Sequence, residues 1–406
     1  MTTIACRTLL TLACFWSVWI TPTTIAYGQH DGPSIRVLLG DSRDGRFFRL
    51  SGDTEREPLL VVDGFEREQL SGGIYTLSFA GDTARLELDR EVREFKRPFR
   101  LQGADRFQTW LQDPQKKGSK LVAGWIELWP PTQDRTDWLV VNRLPLENYL
   151  LGVIGHEMPA SARPASLQAQ AIASRTYALY EIAKRGAQNS WHVYQDVNSQ
   201  VYGGVYQVPD SVREAVRSTR GQVLLYQGKI FKTYFHSTCG GGTHDAYETF
   251  RAPQIEPLQP VSCEYCQPNN KNYSWSRKLP RKLVAARLRG QCRRFGVEVG
   301  EVTAVQSLPT RAGGHADYVR VSHSGGSFEM EGELFRRLLG TRELRSTRFR
   351  CRPDPNDAQQ LIFEGRGFGH GVGMCQWGAM NLGRDYDAVA ILQYYYQGSV
   401  VGVLWE

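Results

Sequence analysis

A single glutamate, Glu157, stands between two helix-forming stretches in the sequence His-Glu-Met-Pro. Pro159 keeps Met158 out of the helical region, so the Glu157 carboxyl is expected on a connector, just past a helix end near Gly155. The partial negative charge of a helix C-terminus disfavours a second negative group there. Apolar neighbours such as Met158 add a desolvation effect of the same sign. Both favour a protonated acid that can give its proton to a leaving oxygen. On these grounds alone a solvated loop carboxylate is the plainer reading. His156-Glu157 does not open a zinc-protease HExxH, because position 160 is alanine and Pro159 breaks the helix that motif needs.

A second group of residues has metal-ligand spacing. His236 and Cys239 are spaced H-x-x-C, and Cys263 and Cys266 form C-x-x-C. Two close pairs separated by a loop is the sequence form of a tetrahedral structural zinc site, and soft thiolates with an imidazole suit Zn²⁺. His244 is an alternative fourth ligand. A disulfide from Cys239 to Cys263 or Cys266 stays open as the oxidised alternative. Four protein ligands would leave no position for catalysis. Cys292 and Cys351 remain as a possible disulfide, with Cys375 buried and free. Glycines at alternate positions from 365 to 373 do not satisfy a nucleotide-binding loop. They point to unusual backbone angles or close approach to sugar or protein. His370, within that run, either donates to a sugar hydroxyl or packs as a hydrogen-bonded histidine.

Before Glu157, Leu146, Leu150 and Val153 fall at helical spacing after Pro145. A second helix is expected from about Ala165 to Arg185, stopped by Lys184, Arg185 and Gly186. From Ser34 to about Phe99 short alternating runs separated by Gly, Asp and Ser read as antiparallel strands, and the pattern continues through Gly124–Trp129 and Asp137–Asn142. The expected fold is α+β: helices carrying the catalytic Glu packed on β structure, with an additional N-terminal β-rich region. The expected division is a signal peptide over 1–28, the β-rich region over 29–137, and a catalytic domain over 138–406.

Glu147-Asn148-Tyr149-Leu150-Leu151-Gly152-Val153, Glu157-Met158-Pro159 and Ala169-Gln170-Ala171-Ile172-Ala173-Ser174-Arg175-Thr176-Tyr177-Ala178 together resemble the hallmark of the stage II sporulation protein D family. A second hallmark appears as Arg366-Gly367-Phe368-Gly369-His370-Gly371-Val372-Gly373-Met374-Cys375-Gln376, with cysteine where the family usually has serine. The closing motif appears as Ile391-Leu392-Gln393-Tyr394-Tyr395-Tyr396. The resemblance implies a lytic transglycosylase that cuts peptidoglycan between N-acetylmuramic acid and N-acetylglucosamine and leaves 1,6-anhydro ends. It implies Glu157 as acid/base, with Arg175 orienting it or holding a substrate oxygen. Tyr177, Ser237, Gly369, His370 and Gln376 are the candidates to touch glycan. Some relatives carry zinc, and some are described as amidase enhancers. An amidase is therefore an implied partner, and a non-catalytic wall-binding module is the rival function. A zinc hydrolase of peptide cross-links is a further rival.

The 406 residues carry a net charge of +7 and are 22% charged. That is mildly basic, without the dense Lys/Arg stripe of a nucleic-acid binder, and suits a soft attraction to anionic wall material. Arg7, the apolar run Thr8–Ile20 and Ala26-Tyr27-Gly28 read as a secretory leader, which implies export to the cell envelope. Membrane attachment is expected only if the leader stays uncleaved.

Overall fold

The structure is a computed structural model, described for residues 32–405 except 44–45, 55, 105–107, 114–118 and 310–313. The expected leader lies outside the described residues. The chain forms two units, one from residues 32–232 together with 401–405, the other from 233–400.

Period-two alternation builds most of the first unit. Along Ser34–Asp41, Ile35, Val37 and Leu39 are buried while Ser34, Arg36 and Leu38 turn the other way, as a strand with one core face requires. A seven-stranded sheet runs in the order Val193–Tyr194, Ser34–Asp41, Leu139–Pro145, Trp125–Trp129, Phe99–Gly103, Pro58–Asp63, Glu66–Gly72. A six-stranded sheet contains Phe48–Ser51 and Tyr75–Ala80 among its members. Aromatic rings fill the space between the two: Phe79 stacks on Trp138 at 6.0 Å and meets Phe48 at 6.3 Å, and Phe99 meets Trp138 edge-on at 6.4 Å. Such offset and edge-on geometries are the ones the ring quadrupoles favour.

Three helices follow without a break in packing. Helix α1 (Leu146–Glu157) starts directly from the strand Leu139–Pro145 and buries Leu146, Tyr149, Leu150 and Val153. Helix α2 (Pro164–Arg185) has proline at its first position and ends at Gly186, φ 78°. Ala169, Ala171, Ala173 and Ala178 are fully buried, and their small side chains allow close helix contact. Helix α3 (Asp210–Ser218) completes the group. The last strand, Val400–Val403, joins Gln222–Tyr226 and Lys229–Ile230, and the Leu404 N–H donates to Gly221 O at 2.9 Å.

The second unit contains helices α4 (Ala246–Phe250), α5 (Arg281–Arg293), α6 (Gly332–Leu339), α7 (Gln376–Leu382) and α8 (Ala388–Tyr395). Two three-stranded antiparallel sheets and a short parallel pair accompany them. Its main core gathers Val284, Leu288, Val302, Val319, Phe335, Phe349 and Phe363. Cys292 lies in this core and Cys351 packs against it. Both are free thiols, so the expected Cys292–Cys351 disulfide is not formed.

The expected α+β class is overturned. Strands account for 38% of the structure and helices for 25%, and the fold is β-rich. The reason is visible in the lengths: α2 has 22 residues, whereas α4, α6, α7 and α8 have eight or fewer. The apolar runs beyond Gly186 that lack strict alternation resolve into strands and helices of at most 13 residues instead of a helical layer.

Candidate active site and metal centre

Glu157 is the last residue of α1, two residues beyond the helix end expected near Gly155. Met158 has φ −137° and ψ 139°, the extended conformation that a following proline imposes. Met158 is buried, and Glu157 itself is half-exposed. One carboxylate oxygen, Oε1, accepts the backbone N–H of Val201 at 2.7 Å. That bond fixes the carboxylate against the loop 200–204.

The loop is held in turn by buried side chains of α1 and the sheet. Tyr149 donates to Gln200 Oε1 at 2.9 Å, and Tyr202 donates to Asn142 Oδ1 at 2.8 Å. The two phenol rings stack at 5.4 Å, and burial pushes both phenols above their ordinary pKa. Lys120 Nζ donates to Tyr202 O at 2.6 Å. Glycine lets these parts approach. A Cβ on Gly152 would lie 2.4 Å from the Tyr202 ring, and one on Gly203 would lie 1.9 Å from His156 Nε2.

Arg175 is fully buried on α2. Its Nε and Nη2 donate to the two carboxylate oxygens of Glu147 at 2.9 and 2.8 Å, and Nη1 donates to Gln222 O at 3.1 Å. Its hydrogen bonds run to Glu147, Thr219, Val216 and Gln222, and Glu157 is not among these partners. The guanidinium thus locks the start of α1 to α2 and the Gln222–Tyr226 strand. Tyr177, on the same helix, is 6% exposed, with Lys232 Nζ 4.8 Å from its ring centre. Burial pushes its phenol up, against the pull of Lys232.

The other expected site residues lie in the second unit. The parallel pair Phe235–His236 and Met374–Cys375 sets His236 opposite Cys375. The Trp377 N–H donates to Ser237 O at 3.0 Å, so Ser237 and Gln376 become neighbours, with Gln376 buried at the start of α7. Gly369 has φ 117°, and a Cβ there would lie 2.7 Å from His236 Cβ. His370 is half-buried, accepts the Val372 N–H at Nδ1 (3.0 Å), and sits edge-on to Phe250 at 5.0 Å.

The metal-ligand expectation is corrected in one member. Cys239, Cys263, Cys266 and Cys375 are all buried, with their sulfurs within 4.8 Å of one another. Cys375 takes the place assigned to His236. His236 Nδ1–H donates to Val372 O at 3.0 Å, and its Nε2 is buried without a hydrogen-bond partner. Burial lowers its pKa to about 4, so the ring is neutral. The physical reason is the strand pairing: register fixes residue 375 beside 236, and the sulfur reaches the cluster. His244 is engaged elsewhere, with Asp317 and Thr249, each at 2.8 Å.

The four cysteines are free thiols, so the disulfide alternative is not formed here. Cys239 Sγ and Cys266 Sγ are 3.4 Å apart, far longer than an S–S bond of about 2.05 Å. Hydrogen bonds from Cys239 hold the Cys263 and Cys266 thiols below the usual thiol range, while burial pushes Cys375 up. The N–H groups of Cys239 and Gly378 donate to Cys375 Sγ at 3.3 and 3.4 Å, and Tyr395 Oη lies 3.2 Å from Cys263 Sγ. Four sulfurs in one dry pocket with N–H donors around them fit a tetrahedral thiophilic metal ion.

The first unit's sheet feeding α1, the Glu-Met-Pro helix end and the alanine-rich α2 define a chain of the stage II sporulation protein type. The sequence model of a family described as "Stage II sporulation protein" matches residues 134–226, and one for a domain of unknown function matches 256–373. The chain belongs to the stage II sporulation protein D family. It is 33% identical over 261 residues to an uncharacterized protein of Brachyspira hyodysenteriae, covering 64% of this chain and 67% of that one. It is 29% identical over 276 residues to stage II sporulation protein D of Bacillus subtilis, covering 64% and 75%. It is 28% identical over 298 residues to the amidase enhancer of Bacillus subtilis, covering 62% of this chain and 40% of that relative. Among the described residues no helix is long and apolar enough to cross a membrane.

Proposed function

We propose that the chain is an exported peptidoglycan lytic transglycosylase with Glu157 as its acid/base. The observation that carries this reading is the carboxyl at the end of α1, half-exposed and oriented by the Val201 N–H at 2.7 Å. Protonated Glu157 gives its proton to the glycosidic oxygen as the bond from the muramyl anomeric carbon breaks. The muramyl C6 hydroxyl attacks that carbon and returns its proton to the carboxylate, closing the 1,6-anhydro ring. A hydrolase would require a second carboxylate for a nucleophile or an activated water. Arg175 acts as a positioning residue through Glu147. Tyr177, Ser237, Gly369, His370 and Gln376 are proposed to serve glycan binding, Tyr177 from beneath the surface.

Zinc is proposed for the four cysteines, with a structural role. When bound, it contributes folding free energy. Cys375 would then anchor the chain immediately before Gln376.

Glu157→Gln keeps shape and removes ionisation, so turnover on glycan strands is expected to fall by ~10²–10⁴ with normal folding. Digestion in ¹⁸O-labelled water is expected to leave the new ends unlabelled. Stoichiometric label would make the enzyme a hydrolase. The similarity to a protein named amidase enhancer supports a second reading, a wall-binding partner that stimulates an amidase. Purified protein inert on glycan strands alone, yet raising an amidase's rate, would select it.

A further inference from the structure

The strand Trp125–Trp129 places Trp125, Glu127 and Trp129 on one face of the seven-stranded sheet, since Ile126 and Leu128 are fully buried on the other. Register puts Arg100 directly opposite Glu127, and Arg143 opposite Trp125. The expected cross-strand ion pair between Arg100 and Glu127 is not made. Glu127 is already taken by Arg36 at 3.0 Å and Arg143 at 3.4 Å. Arg100 lies over the Trp125 ring instead, its Cζ 4.4 Å from the centroid. Among the described residues its guanidinium makes no hydrogen bond or ion pair. Arg36 lies over Trp129 at 5.7 Å, and the Trp129 indole N–H is without a partner. A shallow cavity of about 150 Å³ opens between Arg100, Glu127 and Trp129.

We propose that this face binds a carboxylate-bearing glycan strand. The proposal rests on the reading that the chain acts on peptidoglycan, and it names a second contact on the same polymer. Three guanidiniums face one carboxylate, so the face keeps an excess of positive charge. The uncommitted guanidinium sits over an indole, and its fork of donors suits bidentate carboxylate recognition. The cavity beside Arg100 and Trp129, at about 150 Å³, holds no more than part of a strand. Charge complementarity therefore selects the peptide-bearing glycan, with its free stem-peptide carboxylates, over a neutral polysaccharide.

The test uses the full chain carrying Glu157→Gln, so that binding is read without cleavage. Soluble peptide-bearing glycan strands are titrated against it by calorimetry, in parallel with neutral chitin oligosaccharides. Adding Arg100→Gln or Arg100→Glu is expected to weaken binding to the peptide-bearing strands by tenfold or more with an unchanged melting temperature. Raising salt should weaken the same binding, as exposed charge pairs are screened. Unchanged affinity in both Arg100 variants, or no binding to begin with, would overturn the proposal. So would chitin oligosaccharides bound as tightly as the acidic strands. Arg100-dependent binding by a protein that never cleaves would leave this surface standing and remove the transglycosylase reading.

Discussion

Arg175→Met tests whether the helix arginine supports the fold or serves the chemistry directly. The native guanidinium is fully buried and gives Glu147 two short charge-assisted bonds, at 2.9 and 2.8 Å. Methionine leaves the Glu147 carboxylate 7% exposed and stripped of its cation. Breaking one side of a buried pair costs about 3–5 kcal/mol. In a unit of roughly two hundred residues, each kcal/mol corresponds to about 2–4 °C, so the unfolding midpoint should fall by about 6–20 °C. Replacing both partners, Glu147→Leu with Arg175→Met, removes the orphan charge. The double variant should therefore be less destabilised than the sum of the two singles. Urea unfolding of the four proteins gives the cycle, and turnover per folded molecule is measured beside it. A single Arg175→Met variant that melts normally yet loses turnover would refute the positioning argument and return Arg175 to the substrate.

Gly152→Ala should push Tyr202 and the loop 200–204 off α1, since the new methyl meets the ring at 2.4 Å. Overpacking costs about 1–3 kcal/mol, and kcat should drop because Val201 no longer holds Glu157. His192 is buried with its Nε2 unpartnered, and burial lowers its pKa to about 4. Its contribution is complete above about 6.5 and is lost as pH falls toward 4, with a slope of up to about 1.4 kcal/mol per pH unit. His192→Phe should flatten the stability curve in that window, as followed by melting at successive pH values. Cys375→Ser should lower bound zinc and melting temperature together, measured by elemental analysis. Native protein with no metal and reactive thiols would remove the zinc proposal.

The helices were legible because α1 and α2 carry period-3.6 burial and clear stops: Pro145, Pro164 and Gly186 lie within a residue of their ends. The place of Glu157 near a helix end was legible through Pro159. The Val201 N–H was not, since a backbone donor 44 residues away leaves no mark in side-chain types. Cys375 shows the same limit from the other side. Its departure from the family's serine was a visible signal, and it was read as a packed small residue because nothing in local spacing joins it to Cys239. Only the register of a two-residue parallel pairing does so. The β-rich class was missed beyond Gly186, where strands such as Lys229–Ile230, Phe235–His236 and Met374–Cys375 are two residues long and carry too few alternations to outweigh two strong helices.

The first unit closes on itself only when residues 401–405 return to it. Gly221 and Gly32 leave space for Trp405, whose carbonyl and ring would otherwise clash with side chains there. During synthesis the first two hundred residues emerge long before their last strand. Until then the Gln222–Tyr226 edge stays unpaired on that side, and such edges invite wrong partners. That edge is therefore completed late, after the intervening 233–400 segment has been made. A chain stalled or clipped before Val401 would carry every candidate catalytic residue and still present an open strand edge.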